Sequence, residues 1–173
     1  MALLGIITTA SAQYETTKYN NFKVNIFSPI VKTGSFFFER KLNEKSSAQL
    51  GAGFTAYKGD GVKVSGLFFT PEYRQYLSAS KEAMEGFYIG PYLRYQNLKI
   101  EDEVTKAKLS TFGGGLSIGH QWIFRDLISL DLFAGPSYNS GKIKITEGND
   151  DPDVPGSFEG FGVRSGVTIG ITF

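Results

Sequence analysis

Cysteine is absent from the 173-residue sequence. Its absence removes a disulfide framework, any Cys-based zinc site and a thiol nucleophile. It also removes the lipid-anchored form of an exported protein, which requires a cysteine after its signal. Histidine occurs once, as His120, so a metal site needing two or three His ligands cannot be built within one chain. Charge of one sign is missing too. The 18 Lys and Arg stand against 17 Asp and Glu, for a formal net charge of +1, and no bulk attraction to nucleic acid follows. No stretch approaches the roughly 20 apolar residues of a membrane helix, and hydrophobic residues make up only 41% of the chain.

What is present points elsewhere. Glycine occurs 21 times and aromatic residues make up 14%, mostly Phe and Tyr. Both suit β-structure in which backbones approach closely and amphipathic rings mark interfaces. The first residues read as a secretion signal. Residues 2–7 are apolar, and Ala10, Ser11 and Ala12 form a small-x-small cleavage site before Gln13. No Lys or Arg precedes the apolar run, a departure from the usual signal. The expected division is a signal peptide over 1–12 and one domain over 13–173; the alternative is a floppy or helical start of a cytosolic protein.

The domain is written in alternating segments. In 161–173 the odd positions are Phe161, Val163, Ser165, Val167, Ile169, Ile171 and Phe173, and the even ones are Gly, Thr and Arg164. A period of two is the signature of a strand with one apolar face. The same alternation runs through 109–124 (Phe112, Leu116, Ile118, Trp122, Phe124), 128–139 with Phe133 as its exception, 87–97 and 48–57. It is weaker in 22–30, 34–41 and 62–77. Several runs reach the roughly 9–11 residues of a tilted transmembrane strand. The predicted fold is all-β: an eight-stranded antiparallel up-and-down transmembrane β-barrel. The face opposite the apolar one is rich in Gly, Thr, Ser and Gln, small uncharged residues that suit a narrow packed lumen. A soluble barrel would show Lys and Glu there instead. Pro71, Pro91 and Pro136 each remove one ladder hydrogen bond, at bulges or as local costs. Outer links are expected at 28–34, 58–61, 101–108 and 146–160. The opposite turns include the tight Arg125-Asp126 and a longer one over 78–85.

Three runs carry a family resemblance: Gly86-Phe87-Tyr88-Ile89-Gly90-Pro91-Tyr92-Leu93-Arg94-Tyr95, Phe112-Gly113-Gly114-Gly115 with Gly119-His120-Gln121-Trp122, and Leu130-Asp131-Leu132-Phe133-Ala134-Gly135-Pro136. Together they resemble a domain-of-unknown-function family of small outer-membrane barrels, frequent in Bacteroidetes-type Gram-negative bacteria. The resemblance runs from about Phe22 to Phe173. It implies a fold and a location but no characterised activity, so no functional residue is carried over. The terminal Phe173 also resembles the C-terminal signal read by the barrel assembly machinery.

Few residues suggest chemistry. His120 lacks a serine two positions on and reads as an interfacial residue beside Trp122 rather than part of a Ser-His-carboxylate site. The acidic run 147–153 lacks EF-hand spacing, and Gly113-Gly114-Gly115 lacks the Gly-Lys-Ser/Thr ending of a phosphate loop. No catalytic residue, cofactor or metal is expected. The inward charges are more informative. By strand parity Lys23, Glu39, Glu72, Arg74, Arg94, Asp131 and Arg164 point into the lumen, four basic against three acidic. A lumen of eight strands is only wide enough for side chains, and an unpaired buried charge costs about several kcal/mol. Asp131 is expected to pair with Arg164 or Arg94, and Glu72 with a remaining arginine. The expected protein is a monomeric barrel of the cell outer membrane with an ion-paired, closed lumen. It would be a structural or surface-interaction protein whose partners are outer-membrane lipid and an unknown extracellular or envelope ligand. The alternatives are a narrow transport pore, a soluble lipocalin-like barrel and, last, a lipid-modifying enzyme.

Overall fold

A computed structural model describes residues 18–59, 61–101, 106–147 and 160–173. The signal-like segment 1–12 and most of the acidic run 147–153 lie outside these residues. Eight strands follow one another: β1 Asn20–Asn25, β2 Thr33–Asn43, β3 Ser46–Gly59, β4 Val62–Tyr76, β5 Gly86–Glu101, β6 Lys106–Phe124, β7 Ile128–Glu147 and β8 Gly160–Thr172. Each pairs antiparallel with its sequence neighbours, and β8 pairs with β1, so the sheet closes on itself. Closure pairs Thr168–Thr172 of β8 with Asn21–Asn25 of β1, which protects edges that an open sheet would leave free along the lower seam. The seam is completed by Asn20 and Phe173, whose backbones exchange two hydrogen bonds of 2.9 Å.

Strand boundaries differ from the sequence pattern in informative ways. The first strand stops at Asn25 rather than continuing to residue 30. The Asn25 side-chain carbonyl accepts the N–H groups of Phe27 and Ser28 at 2.9 and 3.2 Å, and Pro29 opens the 3-10 turn Ser28–Val31. An Asx turn followed by a residue without an N–H ends a strand. Conversely β5, β6 and β7 run beyond the apolar alternation, which shortens the expected 101–108 link to 102–105. The three strand prolines face outward without a bulge. On the β4–β5 ladder, pairing passes from Phe69↔Tyr95 to Glu72↔Tyr92 to Gln75↔Ile89 with register kept. Pro71 and Pro91 sit in the two gaps. Pro136 does the same on the β6–β7 ladder, between Gly115↔Ser137 and Ile118↔Ala134. Each proline keeps a paired neighbour on its other side.

The lower end of the barrel carries the start of β1, the end of β8 and the turns at 44–45, 77–85 and 125–127. The upper end carries residues 26–32, Gly61 and the strand ends Gly59, Glu101, Lys106, Glu147 and Gly160. The outer wall is apolar over most of its height. Leu93, Ile118, Leu132 and Ile169 all face outward, between 43% and 52% exposed. Toward the upper end the pattern reverses at one level on adjacent strands. Outward Tyr95 pairs with Phe112, but the next outward pairs up are Asn97↔Ser110, Lys99↔Lys108 and Glu101↔Lys106. Lys58 and Lys63 pair at the same level on β3 and β4. Lys58, Lys63, Lys99, Lys106 and Lys108 are exposed. Inside them lies an apolar cluster of Leu98, Ile100 and Leu109, with Val62 and Val64 packed against it. Below that level the outer wall is apolar and the charged groups point in; above it, charged groups point out and aliphatic groups point in.

The lumen is filled. Phe37, Phe68, Tyr76, Tyr88, Tyr92 and Phe133 are buried inside it together with the charged residues. Inward glycines make the room. A Cβ at Gly119 would lie 2.5 Å from the Tyr88 hydroxyl, and one at Gly170 would lie 2.5 Å from Lys23 Cγ. Eight strands leave a lumen of limited width, so a bulky side chain on one strand needs a small one opposite.

Candidate functional site: a charged lumen

Two carboxylates organise the lower lumen, and each is held by two cations and a phenol. Glu39 on β2 accepts from Lys23 Nζ at 2.7 Å, Ser47 Oγ at 2.5 Å and Tyr76 OH at 2.6 Å, with Arg74 Nη1 at 3.6 Å. Asp131 on β7 accepts from Arg74 Nη1 at 2.8 Å, Lys23 Nζ at 3.1 Å and Tyr88 OH at 2.8 Å. The third proton of the Lys23 ammonium goes to Gln121 Oε1 at 2.8 Å. Lys23, Glu39, Arg74 and Asp131 are completely buried. The three donors of Lys23 meet three acceptors, which makes its burial tolerable, because an ion removed from water loses several kcal/mol of solvation, in order of magnitude; Arg74 Nη2 is buried without a hydrogen-bond partner. The Arg74 guanidinium also lies 4.2 Å over the Tyr88 ring.

Glu72 links this cluster upward. Its Oε1 accepts from Arg74 Nε and its Oε2 from Arg164 Nη1, both at 2.8 Å. Arg164 Nη1 also donates to Ser117 Oγ at 2.7 Å. Every strand contributes: Lys23, Glu39, Ser47, Glu72 with Arg74 and Tyr76, Tyr88, Ser117 with Gln121, Asp131 and Arg164, in order from β1 to β8. The bonds between Lys23 and Gln121 and between Arg74 and Asp131 join strands that are not sheet neighbours. The lower opening is closed by the 77–85 turn. Ala83 and Met84 are buried, Gln121 Nε2 donates to the Met84 carbonyl at 2.6 Å, and Ala83 N–H donates to the Glu44 carbonyl at 2.7 Å. Lys45 Nζ reaches the carbonyls of Ser78, Ala79 and Lys81 at 2.9, 3.3 and 2.8 Å and fixes the turn from below. That turn is longer than a hairpin needs because part of it is a plug.

All seven residues singled out by parity lie on the inner face; Glu72 pairs with arginines as expected, but the partners of Asp131 differ from the expected ones. Asp131 pairs with Lys23 and Arg74, not with Arg164 or Arg94. The reason is height. Asp131 is level with Gln121 and Thr168, whereas Arg164 is level with Gly135, four residues farther up β7, about 13 Å along the strand. Arg94 is level with Gly113, higher still. Glu72 does pair with an arginine from the upper group, Arg164. Arg94 pairs with no carboxylate among the described residues; its guanidinium stacks 4.3 Å over Phe68. The neutral members were not singled out from the sequence. Tyr76, Tyr88 and Gln121 have inward parity, which is the only signal that marks them.

Two further features complete the inventory. His120 faces outward, its ring 4.3 Å from Trp122 and 6.2 Å from Phe87. Among the described residues, no three His, Asp or Glu side chains are placed to hold a metal ion. The Gly113-Gly114-Gly115 run is structural: Cβ atoms at 113 and 115 would meet Asn139 Oδ1 at 2.3 Å and the Tyr92 hydroxyl at 2.9 Å.

No curated protein and no solved structure matches the chain. Residues 1–146, which carry seven of the eight strands, match the family described as protein of unknown function (DUF3575), and the chain belongs to that family.

Proposed function

We propose that this chain is an outer-membrane barrel of a Gram-negative bacterium, of the kind frequent in Bacteroidetes, with a sealed lumen and a non-catalytic structural or surface-recognition role. The observation that carries the reading is the reversal of polarity at the level of Tyr95 and Phe112. An apolar outer wall around a charged interior is the inverse of a soluble barrel built to hold an apolar ligand. From Phe112 to Phe124 the outward side of β6 spans about 40 Å along the strand, or roughly 28 Å along the barrel axis at a 45° tilt, close to the ~25 Å apolar band of membrane barrels. Aromatic residues mark both limits: Tyr95, Phe112 and Tyr138 above, Trp122, Phe124 and Phe87 below. The lysines above the upper limit suit a water and headgroup boundary.

On this reading, export removes residues 1–12, the mature chain starts near Gln13, and the barrel assembly machinery engages Phe173, which stands exposed at the closing seam. The barrel acts as a monomer. Its upper loops meet the extracellular or envelope partner, and the ion network with the 77–85 plug keeps the lumen shut. Fractionation tests the location: the protein should sediment with outer membranes, resist carbonate extraction and require detergent. Recovery in a soluble fraction would end the reading. Replacing Leu132 by Arg should destabilise the detergent-folded barrel by about 2–4 kcal/mol, measured by urea unfolding. Planar-bilayer recordings should show no conductance steps; steps would replace the sealed barrel with a conduit.

A further inference from the structure

We infer that the barrel contains a binding site for a small oxyanion, of the phosphate or phosphate-ester class, in a chamber above Glu72. The chamber has a volume of about 380 Å³ and lies between β5, β6, β7 and β8, with Arg94 and Arg164 on its wall. It sits on the upper side of the ion network, since β5 runs upward from Tyr92 through Arg94 to Gln96.

Charge is the first argument. The lining holds two guanidinium groups and no carboxylate; its other polar side chains include Gln96, Thr111, Ser137 and Asn139, all neutral. The three inward carboxylates are engaged below, Glu39 and Asp131 with Lys23 and Arg74, and Glu72 with Arg74 and Arg164. Arg94 is therefore left over by the count of four inward cations to three anions. Donor geometry is the second argument. Arg94 Nε is buried without a hydrogen-bond partner, and so is the Tyr92 hydroxyl in the same lining. Stacking on Phe68 holds the Arg94 plane while leaving its edge for an acceptor. Arg164 makes its two hydrogen bonds through Nη1 alone, and its plane is fixed 4.4 Å over Tyr92 and 4.6 Å over Phe133. Two immobilised guanidinium forks facing neutral hydrogen-bonding groups match a tetrahedral oxyanion. A cation would be repelled, and an apolar ligand would leave these donors unpaired.

The site rests on the lumen geometry and is independent of where the barrel resides. Calorimetry on the full-length protein folded in a neutral detergent tests it with inorganic phosphate, and with glycerol phosphate to represent a phospholipid headgroup. Saturable phosphate binding is expected, weakened about tenfold or more in Arg94→Gln. Tighter binding of glycerol phosphate would mark a lipid headgroup as the source, and preference for inorganic phosphate a free solute. Asn139→Asp places a carboxylate in the lining and should abolish binding while the barrel stays folded by circular dichroism. Absence of saturable binding to the wild-type protein, or unchanged binding in folded Arg94→Gln and Asn139→Asp, would overturn the site.

Discussion

The lower lumen and the chamber above it use the same residue types to opposite ends. Below, Lys23 and Arg74 face Glu39 and Asp131 with every one of these side chains shut off from solvent. Above, Arg94 and Arg164 share a cavity whose lining has no acid. Glu72 stands at the division and holds one cation from each side. A buried charge is tolerated either by a fixed partner or by access to something that supplies one. The lower cluster takes the first course and so locks strands across the barrel. Above, Arg164 is held by Glu72, and Arg94, which pairs with no carboxylate among the described residues, leaves the second open.

Removing a lower carboxylate should have the largest effect. Asp131→Ala leaves Lys23 and Arg74 short of an anion and should cost about 3–5 kcal/mol in urea unfolding from micelles. A double-mutant cycle of Asp131 with Arg74 should show strong coupling, whereas a cycle of Asp131 with Arg164 should show little, because Arg164 lies about 13 Å higher along the strand. Equal coupling to both would erase the distinction between the two regions.

Filling a hole in the lower lumen should come next. Gly119→Ala sets a Cβ 2.5 Å from the Tyr88 hydroxyl, which holds Asp131, and 2.7 Å from the Leu132 carbonyl oxygen. A loss of about 1–3 kcal/mol is expected. An unchanged unfolding midpoint would show that the ring has room to move.

The same chemistry applied above should cost little. Arg94→Gln breaks no ion pair and loses the stacking on Phe68, so a change of about 1 kcal/mol or less is expected. A cost matching that of Asp131→Ala would mean that Arg94 belongs to the locked network.

The smallest effect lies at the lower mouth, where Glu82 of the plug turn pairs with Lys41. The hydrogen bond and charge of Lys41 hold the Glu82 carboxyl below its ordinary value of 4.5. A carboxyl lowered in the folded state adds stability above its unfolded value, and that stability is lost as pH falls through the folded value. Glu82 is largely exposed, so the contribution is small. Glu82→Gln should flatten the stability profile slightly below pH 4.5, and an identical profile would remove the pair from the account.

Sequence alone determined which side of the wall each residue occupies. Successive side chains alternate across a strand, so Lys23, Arg74 and Asp131 were legible as inward groups and Leu93 and Ile169 as outward ones. Eight such segments also implied closure. The ends of the alternation were less legible. At the upper level the polarity of both faces exchanges while the strands continue, so β5–β7 outrun the apolar pattern, and the Asn25 turn stops β1 inside a segment that still alternates. Tertiary structure alone decided height. Register and closure put Asp131 level with Gln121 and lift Arg94 out of reach, and they bring Gly119 opposite Tyr88 and the 77–85 turn beneath the network. Parity is a property of one strand, whereas the partner of a buried charge depends on how all eight strands are staggered around the barrel.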